Sequence, residues 1–75
     1  MPKSRSDDIK ENMEVVYTFI RSFIQEHNYS PSMQEIADSC YMARASVVRY
    51  VDKLEAKGRL KRDLGVARSI ALTDN

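Results

Sequence analysis

Residues 30–58 read SPSMQEIADSCYMARASVVRYVDKLEAKG, and the division of this stretch decides the fold. Pro31 stops any helix that precedes it, and the residue ahead of a proline avoids the helical region, so residues 29–31 are expected to be extended. Ser32-Met33-Gln34-Glu35 then has the spacing of a capping box. The serine hydroxyl takes the amide three residues on, and the glutamate reaches back to the serine amide. Ile36 and Ala37 give this helix a short apolar face, and Ser39 to Met42 read as a tight connector. Beyond it Val47, Val51 and Leu54 recur at helical spacing as an inward stripe, with Gly58 as the stop.

Upstream, Ile9, Met13, Val16, Ile20, Phe23 and Ile24 form the stripe of a longer amphipathic helix. Ser6 is placed to cap it, Asp7 and Asp8 suit the positive end of its dipole, and Asn28 is a left-handed terminator. Downstream of Gly58 the period changes from helical to alternating. Leu60 and Arg62 flank Lys61, Asp63 to Ala67 contain a glycine suited to a hairpin turn, and Ile70 and Leu72 share one face. The expected fold is mainly α: a three-helix bundle with a C-terminal two-stranded β-wing, the winged helix-turn-helix plan. Residues 1–75 are expected to form one such domain, with residues 1–5 disordered.

At 75 residues the chain has room for one core. With 43% hydrophobic and 31% charged residues, and two glycines and two prolines, it is neither collagen-like nor disordered throughout. Its apolar runs are too short for a membrane span or a signal peptide, which makes the cytoplasm the expected location. One cysteine, Cys40, allows no internal disulfide and fits a reducing compartment. With one histidine, His27, it argues against a structural zinc site, and no cofactor is expected. The formal net charge of +1 hides a division: residues 1–42 carry four cations against seven anions, and residues 43–68 carry eight against three. A basic second half points to a polyanion partner.

The residues then become specific. Glu35-Ile36-Ala37, followed by Val47, Val51, Leu54-Glu55 and Lys57-Gly58, resembles the general pattern of bacterial winged-helix regulators. Phe19-Ile20-Arg21, Asn28-Tyr29-Ser30-Pro31-Ser32 with Glu35-Ile36, and Arg62-Asp63 with Arg68-Ser69-Ile70-x-Leu72 narrow it. Together they are similar to the N-terminal DNA-binding domain of LexA-type SOS repressors, over about residues 9–73. Three departures accompany the likeness. Tyr41 stands where that family usually has glycine, Ala43 stands where it has a serine or threonine cap, and the connector is one residue shorter. The resemblance implies a DNA binder without the repressor's self-cleaving half, either an excised domain or a small stand-alone relative, so the chain is expected not to cleave itself.

With Val47, Val51 and Leu54 inward, the helical step turns Ala45, Arg49, Asp52 and Ala56 outward, with Arg44, Ser46, Val48 and Lys53 on the flanks. A major groove is read mainly by the first turns of such a helix. Arg44, Ala45, Ser46, Val48 and Arg49 are therefore the candidate base readers, arginine for guanine and the small apolar residues for a thymine methyl. Lys53 on the helix flank is a further candidate DNA contact, the wing residues Lys61, Arg62 and Arg68 are candidates for a neighbouring phosphate or minor groove, and Ser32 at its helix start is a candidate phosphate contact. Tyr17, Phe19, Tyr29 and Tyr50 read as packing residues, Cys40 as a small core residue, and His27 as a favourable charge at a helix end.

Sequence-specific binding of double-stranded DNA, in transcriptional repression, is the function these features favour. A winged-helix protein-interaction module is the alternative, and a steep loss of affinity with salt separates the two. An enzyme fits poorly, since the chain shows no nucleophile–base pair, metal set or phosphate loop. The apolar residues are nearly all claimed by the core, which leaves a monomer in isolation or a weak dimer on DNA.

Overall fold

In the computed structural model, which describes the backbone of residues 5–62 and 70–73 and their side chains from Lys10 onward, three helices precede a short ribbon. α1 spans Arg5–His27, α2 Met33–Cys40 and α3 Arg44–Ala56. β1 (Leu60–Lys61) pairs antiparallel with β2 (Ala71–Leu72), Leu60 opposite Leu72 and Lys61 opposite Ala71. This is the winged helix-turn-helix order, reached from three local signals.

The first is the stripe of α1. Met13, Val16 and Ile20 are buried as the spacing requires, and Tyr17 joins them. Phe23 and Ile24 are only half-buried. α1 begins at Arg5, so Ser6 lies inside it and is not its cap, and Arg5, within the stretch 1–5 expected to be disordered, is helical. A cap is worth only about 1 kcal/mol, and adding a residue to an existing helix costs little, so a start slides easily. The remainder of that expectation, residues 1–4, falls outside the described residues.

The second signal is the capping box. Ser32 is extended (φ −79°, ψ 163°); its Oγ accepts from the Glu35 amide at 3.1 Å, and its own amide donates to Glu35 Oε1 at 2.9 Å. Ile36 and Ala37 are buried as expected. α2 runs two residues further than expected, through Ser39 and Cys40, so the connector becomes Tyr41–Ala43. Tyr41 turns the chain in the left-handed region (φ 56°), and its amide and that of Met42 both donate to the Ala37 carbonyl.

The third signal is Gly58. It adopts φ 77° just after α3, where the Gly58 amide donates to Glu55 and the Arg59 amide to Leu54. These paired bonds satisfy carbonyls that the end of a helix leaves open. Val47, Val51 and Leu54 are fully buried against Ile20, Ile36 and Leu60, and Ile70 closes the core from the ribbon. Each such side chain contributes about 1.5–3 kcal/mol by leaving water.

Not every apolar residue is absorbed. Val15 and Tyr29 are about half exposed and Tyr41 almost wholly so, which departs from the expectation that the core claims nearly all of them. Residue counts cannot show this, because Val15 lies on the opposite side of α1 from Met13 and Ile20.

Candidate nucleic-acid interface

α3 places the expected readers as its period requires. Arg44, Ala45 and Arg49 are exposed, and Ser46 and Val48 are half-buried on the flanks. Arg44 and Arg49 form no ion pair with any other described residue. Ala43, the N-cap, has extended geometry and no side-chain acceptor, so no side chain at that position takes the first amides of α3. Lys53 is exposed in the last turn of α3, beside an open cleft of about 450 Å³ that also receives Lys10, Lys57 and Arg59. Glu14 lines the same cleft and pairs with Arg59, so Lys10, Lys53 and Lys57 are its remaining cations.

The wing divides the remaining candidates. Lys61 is exposed on β1. Arg62 is largely covered and lies against α3, paired with Asp52 and Glu55. Arg68 and the expected turn at Asp63 to Ala67 fall outside the described residues. Ser32 is half-buried and committed to its capping box, though such a hydroxyl retains a donor for a second partner. The structure thus gathers Arg44, Ala45, Ser46, Val48, Arg49 and Lys53 on one helix, with Lys61 at the ribbon.

Three structural residues escape the sequence reading. Arg59 donates to Glu14 Oε1 at 2.6 Å and lies 3.8 Å above the Tyr17 ring, locking the foot of the wing to α1. The hydrogen bond to Glu14, more than their charges, holds the Arg59 pKa above its ordinary value, against the pull of partial burial. Ser30, buried just before α2, accepts the Ile70 amide at 3.2 Å and so anchors the returning strand. Asn12 on α1 donates to the Tyr50 hydroxyl at 3.1 Å, and the half-buried Tyr50 packs against the core as expected. A long side chain's partner depends on which distant residue folding brings near it, and no local period carries that information.

The rings of Phe19, Phe23, His27 and Tyr29 form one cluster. Phe23 lies 5.8 Å from Phe19, 4.3 Å from His27 and 5.4 Å from Tyr29 between ring centres. Burial pushes the Cys40 thiol pKa up, which suits a packed side chain more than a reactive one. Among the described residues no group of acids, histidines and cysteines could hold a metal ion, and no helix is long and apolar enough to cross a membrane.

Comparison with known proteins adds to this geometry. The family model for the LexA DNA binding domain matches residues 8–69. The LexA repressor of Koribacter versatilis (strain Ellin345) is 46% identical over 56 residues, 73% of this chain and 27% of that protein. The LexA repressor of Roseiflexus sp. (strain RS-1) is 40% identical over 68 residues, 89% of this chain and 31% of that one. The LexA repressor of Clostridium botulinum (strain Hall) is 37% identical over 75 residues, 99% and 35% respectively. The chain spans about a third of the length of these relatives.

Proposed function

Because the chain belongs to the LexA DNA-binding domain family, we propose that it binds double-stranded DNA sequence-selectively and serves as the DNA-reading part of a transcriptional repressor. The observation that carries this is the outer face of α3, where Arg44 and Arg49 stand exposed beside Ala45 and form no ion pair with any other described residue. An unpaired arginine on the first turns of such a helix offers guanine its two-pronged donor face. Ala45 and the edge of Val48 offer apolar contact to a thymine methyl, and Ser46 offers a hydroxyl.

Lys53, Lys61 and Arg68 take phosphates, and Ser32 adds its hydroxyl while still capping α2. Phosphate contacts of this kind set register and affinity, and base contacts set sequence. One domain occupies one half-site, either as a monomer or as a pair brought together by adjacent half-sites. Such a partner is met in the cytoplasm.

Selection from a random duplex library, followed by titration of the recovered site at several salt concentrations, tests the proposal. A shared motif should emerge, with affinity falling by roughly 0.9 log units per phosphate contact for each tenfold rise in salt. Lys61→Ala should make that slope shallower by about one and weaken selected and random duplexes alike. Recovery of no motif, with binding indifferent to salt, would instead support the protein-interaction module.

A further inference from the structure

Arg62 follows β1 directly, in a stretch whose cations were expected on phosphates. Its guanidinium closes on α3 instead: Nη2 donates to Asp52 Oδ1, and the buried Nε lies 3.5 Å from Glu55 Oε1. The Arg62 side chain is 13% exposed, against 54% for Asp52 and 39% for Glu55. A cation so covered, between two acids on one helix, has little surface left for a phosphate.

The position of Asp52 gives the pairing its meaning. Asp52 lies three residues beyond Arg49 and seven beyond Ala45, so it shares the outward side of α3. A bare carboxylate there would repel a polyanion approaching the reading residues, within the roughly 8–10 Å that salt leaves unscreened. Arg62 cancels that charge from the protein side. It also ties the end of β1 to α3, while the Ile70 amide ties the start of β2 to Ser30 at 3.2 Å. The two arms of the ribbon are thus anchored separately to the helix-turn-helix.

Resting on the DNA-binding reading above, we infer that Arg62 is a positioning residue that neutralises Asp52 on the reading helix and fixes where the wing leaves α3, without touching phosphate itself. Asp52 and Glu55 then serve as its seats, and the side chain acts on affinity through them.

The test is a cycle of Arg62→Ala, Asp52→Asn and the double variant. Each is measured for binding to the selected duplex at several salt concentrations and for unfolding of the free domain. Arg62→Ala should weaken the duplex about 5–10-fold, and the double variant should bind within about twofold of Asp52→Asn alone. Its salt slope should match that of Asp52→Asn. Arg62→Lys should recover much of the loss, since a point charge still offsets Asp52. If Arg62→Ala lowers affinity equally in both backgrounds and removes about one unit of slope, Arg62 contacts phosphate and the inference fails. Loss of stability and affinity together, with no recovery from Asp52→Asn, would reduce Arg62 to a fold-stabilising residue and also overturn it. If the unaltered domain binds no duplex, the DNA reading itself is at fault. The unfolding cycle then judges the strut alone, and strictly additive effects of the two substitutions would refute it.

Discussion

α2 and α3 are built in opposite ways at their ends. α2 starts on a complete capping box and leaves through Tyr41, a 95% exposed tyrosine held at φ 56°. α3 starts on Ala43, with no side-chain cap, and leaves through Gly58, for which φ 77° is comfortable. The two poor ends adjoin each other across Tyr41–Ala43. A non-glycine residue in the left-handed region costs about 1–2 kcal/mol, and a missing cap costs about 1 kcal/mol. The turn is therefore unfavourable by local criteria and persists because Ile36, Ala37 and Val47 are buried on either side of it, with Cys40 and Met42 packed against the same core. Packing, not turn chemistry, sets the angle between the helices.

The contrast is broken most directly at Ile36, fully buried on α2. Ile36→Ala should lower unfolding stability by about 2–5 kcal/mol in a denaturant titration. A loss no larger than that of a cap would show that the turn holds itself. Arg49→Ala divides the two helices by role. It should cost about 1–3 kcal/mol of affinity for the selected duplex and relax one base pair. Its effect on stability should stay within about 0.5 kcal/mol, as for an exposed site. Unchanged affinity and an unchanged ranking of single-base variants would remove Arg49 from the reading face.

Ser32→Ala should show the reverse balance, a stability loss of about 1 kcal/mol with the ranking of sites preserved. A changed ranking would mean that the capping box steers recognition as well as folding. The smallest effects are gains. Tyr41→Gly and Ala43→Ser should each raise stability by about 0.5–1 kcal/mol, measured separately by thermal unfolding. If neither does, the ends of the turn are not where local stability is missing.

What the sequence disclosed follows the same division. The start of α2, the stops at Asn28 and Gly58, and the inward stripe of α3 were legible because each depends on residues within one or two turns. Tyr41 was legible only as a departure from the pattern of similar proteins, and its positive φ explains why glycine suits that place. The outward direction of Arg44 and Arg49 followed from the stripe beneath them. Arg62 did not, because alternation along β1 says which way a side chain leaves the strand but not that Asp52 and Glu55 lie beneath it. Arg59 on Tyr17 and Ser30 under Ile70 were hidden for the same reason: each partner is far away in the chain.

The bond from Ile70 to Ser30 spans 40 positions, and it orders events as the chain is made. α1, α2 and α3 can associate once Gly58 has cleared the ribosome, but the ribbon cannot close until Leu72 has followed. At about 5–20 residues per second that interval lasts roughly 1–3 s. During it Leu60 has no strand opposite it, and the nascent domain carries an open apolar edge beside its completed reading helix. Ribosome-bound chains in which Leu60 has emerged but Leu72 is still in the exit tunnel should therefore be cleaved by protease near Leu60, and chains carried clear of the tunnel past Leu72 on an added C-terminal linker should resist. Equal cleavage of both would mean that the helices alone bring the edge to rest.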